Sequence, residues 1–142
     1  MGKQNYFIEG RIESDFVAEQ IAKHSSKKDI GAHTIFLGQV REDSKDGKSV
    51  QSIIYSAYNE MAEAEFQKIK DNIFSKYDIR CLHIYHSIGS VKAGELSLFV
   101  FLSGKHREKL FDILSEIVDD IKAKVPIWKK EIYDNGSEEW VE

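Results

Sequence analysis

Two basic clusters carry most of the chemistry this sequence can offer. The first is Ser103-Gly104-Lys105-His106-Arg107, where an apolar run turns toward a helix. A helix N-terminus already holds partial positive charge on its unpaired N–H groups, so potential cations crowded there are disfavoured unless an anion joins them. The plainer alternative is that all three point into solvent and Glu108 partly offsets them, at a cost of roughly a few tenths of a kcal/mol. The segment is no P-loop, because the upstream glycine of GxxxxGK would fall on Phe99.

The second cluster is Lys122-Ala123-Lys124-Val125-Pro126-Ile127-Trp128-Lys129-Lys130. Lys122 and Lys124 fall in a last helical turn, where cations suit the dipole. Lys129 follows an apolar Pro-Ile-Trp entry into a strand. Held beside Trp128 and partly desolvated, it would have a lowered pKa and serve as nucleophile or proton donor. The default for such a residue is an exposed lysine guarding a strand edge. Arg41 closes a strand at the start of a polar loop, a position from which scaffolds present functional side chains.

Other constellations fall short. His83 and His86 are three apart on a strand, so they face opposite sides and cannot share a metal. Cys81 and His83 share a face, but two ligands do not make a site, and a core pair is the expected reading. No GxSxG elbow occurs, and no carboxylate pair is placed for acid–base work. No metal site is expected.

The elements that must position these residues follow from periodicity. Residues 6–12 read as a strand, and Ser14 as the N-cap of a short helix with Phe16, Val17 and Ile21 inward. Residues 31–40 read as a strand, apolar on both faces at its centre and so well covered. Residues 41–49 read as a mobile polar loop and 50–58 as a strand. Asn59 is the expected cap of a long helix burying Ala62, Phe66, Ile69, Ile73 and Tyr77. Residues 80–88 and 96–103 form a hairpin about Lys92-Ala93-Gly94-Glu95. A third helix spans 105–124, with Leu110, Leu114, Ile117 and Ile121 inward, and ends before Pro126. Asn135-Gly136 signals a closing hairpin. This order implies an α+β domain with mostly antiparallel pairing and three helices.

Bulk properties set outer limits. The chain has 142 residues, 42% apolar and 31% charged, which fits a single domain spanning 1–142. A net charge of -4 argues against a general nucleic-acid binder. A lone cysteine permits no intrachain disulfide. Residues 1–9 carry no apolar signal core, and the longest apolar run, 96–102, is too short to cross a bilayer. No membrane association and a reducing cytoplasm are expected.

Five segments together resemble one family. Phe36-Leu37-Gly38-Gln39-Val40-Arg41 is similar to its F-x-G-x-V-R segment. His86-Ser87-Ile88-Gly89, followed by Gly94-Glu95, resembles its H-x-I-G...G-(D/E) hairpin. Ser103 to Arg107 resembles its (S/A)-x-H-R turn, and Lys122 to Glu131 its K-x-x-x-P-(I/F)-W-K-(K/R)-E segment. Trp140-Val141-Glu142 resembles the closing W-V-(E/x). They occur in order and spacing over residues 31–142. The family is the large, catalytic subunit of molybdopterin synthase, the MoaE family.

The resemblance implies an α/β hammerhead-type fold and a sulfurtransferase of molybdenum cofactor biosynthesis. The substrate would be cyclic pyranopterin monophosphate, an anion. Sulfur would come from the C-terminal thiocarboxylate of a small ubiquitin-like subunit, without a metal or dissociable cofactor. Carried over by position, Arg41, His106 and Arg107 would hold phosphate and pterin, and Phe36 and Trp128 would wall the pocket. Lys122 and Lys129 would stabilise the thiocarboxylate and transfer protons, with transient lysine acylation a further option. The assembly implied is a homodimer within a heterotetramer, one small subunit at each end. Family members often continue past W-V-E with a basic residue reaching a neighbouring active site, whereas this sequence stops at Glu142. Two rival readings are an adaptor that only docks a ubiquitin-like tail and a phosphate-transfer enzyme using His106.

Overall fold

The computed structural model describes residues 5–141. In chain order these form β1 (Phe7–Glu9), α1 (Ser14–Lys23), β2 (Ala32–Gln39), β3 (Ser44–Lys45), β4 (Lys48–Ala57) and α2 (Asn59–Lys76). There follow β5 (Cys81–Lys92), β6 (Leu96–Gly104), α3 (Leu110–Lys124), β7 (Ile127–Tyr133) and β8 (Glu138–Val141). A single 3-10 turn, His24–Ser26, extends α1.

The apolar run that dominates the sequence becomes β6, buried from Ser97 through Gly104. Such a strand needs cover on both faces, and the helices supply it. On one face α2 and α3 pack Ala62, Phe66, Ile69, Ile73, Leu114 and Ile117 against Leu82, Ile84, Val100 and Leu102. On the other, α1 brings Val17 against Phe99 and Phe101, with Phe16 edge-on to Tyr85. Alternation along β5 and β6 thus feeds two separate cores.

The strand order is β2-β6-β5-β4-β7-β8, with β1 beside β5 and β3 beside β4. Only the β1–β5 pair is parallel, so the α+β, mostly antiparallel architecture with three helices is as expected. The sheet forks along β5. Residues 81–86 pair with β6, whereas residues 89–92 pair with β4. Gly89 sits at the change of partner with φ +85°, and a Cβ there would lie 2.8 Å from a carboxylate oxygen of Glu9. The positive φ is what favours glycine there, since the Glu9 carboxylate is the free end of an exposed side chain and can move aside.

Several local expectations are corrected. Ser14 and Asn59 are first helical residues, and the caps fall on Glu13 and Tyr58 without side-chain cap bonds. On α1 Ile21 is 42% exposed, because the helix turns Val17, Gln20 and the following His24 inward. Strand β2 is not well covered. It lies at the end of the sheet, and Leu37 is 42% exposed. The polar segment 41–49 holds a tight hairpin, β3 to β4, turned by Asp46 and Gly47 at φ +53° and +76°. Positive φ at both turn positions matches the strand twist, and Asp-Gly favours it.

Helix α3 begins at Leu110, five residues later than the expected start at residue 105. Pairing of Gly104 with Ala32 holds the chain in the sheet, and Lys109 at φ +66° interrupts any earlier helix. Lys105, His106 and Arg107 therefore stand on an exposed loop and not in the first turn of a helix. The Asn135-Gly136 hairpin forms as expected, joining β7 to β8. Glu142 of the closing segment lies outside the described residues.

Candidate functional site

A concave pocket of about 740 Å³ opens where the sheet forks. One wall is the end of β2, from Phe36 to Val40, continuing into Arg41. The opposite wall is a cross-strand set. Tyr55 of β4 faces Lys129 of β7, and Ile53 faces Glu131. Because side chains alternate, Ile127, Lys129 and Glu131 share the pocket face. The last turn of α3 adds Ile121 and Lys122, and His86 and Ser97 line the floor with Leu98.

The pocket gathers three cations and two carboxylates, but the carboxylates are engaged. Asp43 sits 3.3 Å from Arg41, and Glu131 accepts a 2.7 Å hydrogen bond from the Tyr133 hydroxyl. Among the described residues neither Lys122 nor Lys129 forms an ion pair. Burial against the pocket walls lowers the Lys129 pKa, the charge of Lys122 lowers it further, and Glu131 partly opposes both. Although its side chain reaches solvent, the ammonium borders protein on enough sides to be penalised. A lysine with a depressed pKa beside a second cation offers a neutral amine more readily, and the pair presents positive potential to an anion.

The floor carries no formal charge. His86 is buried, with its Nδ1 donating to the Ser87 carbonyl oxygen at 2.7 Å. Desolvation, with a smaller push from Lys129, holds its pKa down to about 4, so it is uncharged at neutral pH. Tyr55 stands edge-on to its ring at 5.1 Å and donates to Ser97 Oγ at 3.1 Å. Burial raises the Tyr55 pKa, keeping it a donor.

Of the residues singled out in the sequence, Phe36, Arg41, Lys122 and Lys129 meet here. Trp128 does not line the pocket. It is 51% exposed and, one residue from Lys129 on a strand, faces the other way. The depressed pKa of Lys129 thus comes from the pocket walls and Lys122, not from Trp128. His106 and Arg107 lie beyond the far end of β6, ~20 Å from Leu98 at strand rise. Tyr55, His86, Ser97 and Glu131 were not expected to share the pocket. His86 and Glu131 stood inside recognised motifs, but nothing local marks Tyr55 or Ser97, whose placement depends on pairing between distant strands.

The match to the MoaE protein family covers residues 12–124. The chain belongs to the MoaE protein family. A molybdopterin synthase catalytic subunit from Pyrococcus abyssi (strain GE5 / Orsay) is 38% identical over 142 residues, 100% of this chain and 94% of the relative. The one from Rattus norvegicus is 40% identical over 110 residues, 78% of this chain but 54% of the relative, so the chain spans about half of that protein. The crystal structure of molybdopterin synthase from Staphylococcus aureus superposes with a TM-score of 0.85 at 29% identity, covering 100% of this chain and 99% of that one. The MoaE fold is therefore shown along the whole described chain. Among the described residues no helix is long and apolar enough to cross a membrane.

Proposed function

We propose that this chain is the catalytic subunit of a molybdopterin synthase. It transfers sulfur from the C-terminal thiocarboxylate of a small ubiquitin-like subunit to cyclic pyranopterin monophosphate, forming the molybdopterin dithiolene. The observation that carries this reading is the meeting of Lys122 and Lys129, from separate elements, on the walls of one pocket with Arg41 at its rim. Membership of the MoaE family and similarity to proteins named molybdopterin synthase catalytic subunit support it.

In this reading the thiocarboxylate tail enters the pocket and its charge is met by Lys122. Lys129, whose ammonium is disfavoured by burial and by the charge of Lys122, moves protons as sulfur leaves the tail carbonyl and adds to the pterin. Phe36 contributes apolar wall, and Arg41 binds the substrate phosphate. His106 and Arg107 are too far along β6 to join this pocket from the same chain. Their role in phosphate and pterin binding requires a second copy, which accords with a homodimer inside a heterotetramer. Trp128 lies on the opposite face, where it can contribute to assembly rather than to a wall. Residues 1–142 act as one domain in the cytoplasm, and the reaction needs no metal or dissociable cofactor.

Reconstitution tests the proposal. The chain is mixed with thiocarboxylated small subunit and cyclic pyranopterin monophosphate, and dithiolene-bearing pterin is assayed by oxidation to a fluorescent derivative. Product only with all three components is expected. No product despite complex formation would overturn it in favour of an adaptor.

A further inference from the structure

A second cluster of chemically able side chains lies away from the pocket. His24, Cys81 and His83 each direct a ligand atom to one place, all three atoms within 4.8 Å of one another. His24 and Cys81 are buried, and His83 is partly so. The fold creates this group. Cys81 and His83 share the α1-facing side of β5, and the 3-10 turn after α1 swings His24 across, stacked on Phe101 at 4.6 Å. Cys81 pairs with Ser103, whereas the pocket begins at His86, ~17 Å along the strand.

The protonation pattern favours a ligand role. His24 Nδ1 lies 2.7 Å from the Gln20 carbonyl oxygen. A carbonyl only accepts, so Nδ1 carries the proton and Nε2 presents a lone pair inward. This is the outer hydrogen bond that orients metal-bound imidazoles. The Nε2 atoms of His24 and His83 are 3.2 Å apart. Two nitrogens on one tetrahedral zinc ion, at about 2.05 Å each, would be ~3.3 Å apart. The nitrogen spacing already matches, the two rings need to turn so that both lone pairs converge on the ion, and the sulfur needs to close by ~1 Å.

We propose that His24, Cys81 and His83 form a binding site for a borderline-soft divalent cation of the zinc class, stapling the turn after α1 to β5. On binding, the His83 proton moves from Nε2 to Nδ1, and the Cys81 thiol releases its proton to solvent as the thiolate–metal bond forms. Lys27 Nζ, now 3.1 Å from Cys81 Sγ, belongs to an exposed residue and swings outward as the ion takes its place. Three protein ligands leave a fourth position on the Lys27 side for water. The site is separate from the sulfur-transfer pocket and takes no part in its chemistry.

Cobalt titration of the 142-residue chain tests this under reducing, anaerobic conditions. Cys81 is the only cysteine, so a near-ultraviolet sulfur-to-cobalt charge-transfer band can arise nowhere else. One equivalent of Co²⁺ should produce that band together with intense four-coordinate d–d bands, and Zn²⁺ should displace it. Cys81→Ser should abolish the charge-transfer band. His24→Gln and His83→Gln should weaken binding by ~10-fold or more, each variant checked for native circular dichroism. The wild-type spectrum stands even where a variant fails to fold. Cobalt binding without a sulfur band, no binding, or affinity unchanged in both histidine variants would overturn the proposal.

Discussion

Lys122 in the last turn of α3 and Lys129 in β7 line one pocket, and the charge of Lys122 is the largest cause after burial of the lowered Lys129 pKa. The two lysines are therefore an electrostatic pair rather than two separate surface cations. Replacing either should change the other's task. Lys122→Ala and Lys129→Ala should each retain the native fold, since neither is in the core, and each should lose activity by ~100-fold or more in the reconstituted assay. Wild-type turnover in both would remove these residues from the mechanism.

Their coupling predicts a pH signature. Removing the Lys122 charge relieves repulsion on the Lys129 ammonium, so Lys122→Ala should raise the Lys129 pKa toward its ordinary value. Where a neutral amine is required, the residual activity of Lys122→Ala should climb at higher pH than in wild type. A pH–rate profile, with the Lys129 side chain followed by NMR, checks both. An unchanged or lower pKa would contradict the pair.

The acid response of stability should carry a histidine contribution. Folded His86 has a pKa of about 4, below its ordinary 6.5. As pH falls through 6.5 the unfolded chain takes up a proton that the native chain refuses, so native stability declines from about pH 6.5 toward 4. The His86 share is on the order of 1 to 3 kcal/mol. His83, also held at about 4, acts with the same sign. Urea denaturation between pH 7 and 4.5 should show a shallower decline in His86→Gln than in wild type, and equal slopes would refute the assignment.

Gly31 tests how the 105–109 loop is held. A Cβ at Gly31 would stand 2.1 Å from the Lys105 carbonyl oxygen, a clash with backbone rather than with a side chain that can turn away. Gly31→Ala should cost about 1–3 kcal/mol in denaturant unfolding and displace the loop bearing His106 and Arg107. If those two residues serve the active site of a second copy, KM for the pterin should rise more than kcat falls. An unperturbed melting temperature would show that the loop yields freely.

The strand and helix inventory could be read from the residues because it rests on local periodicity. Ala62, Phe66, Ile69 and Ile73 repeat at helical spacing and are buried. Asn135-Gly136 carries its turn preference in its own backbone chemistry. Failures came where a longer-range contact overrode the local pattern. The 105–109 segment reads as the start of a helix, but the β2–β6 ladder holds the chain until Gly104 and the helix begins at Leu110, where the apolar periodicity itself starts. Ile21 fits an inward face, yet α1 docks through Val17 and Gln20.

By itself the sequence determined most of the elements, the family and the candidate side chains, since motifs and periodicity are properties of neighbouring residues. It could not say which candidates meet. Lys122 and Lys129 share a pocket while Trp128 is turned away, because strand alternation and the β4–β7 register choose the face. His106 and Arg107 stand apart from that pocket because β6 runs its full length between them. His24 joins Cys81 and His83, 59 residues from the latter, through the docking of α1 on the sheet. Chemistry between residues distant in sequence depends on non-local pairing and packing, and only the tertiary structure supplies these.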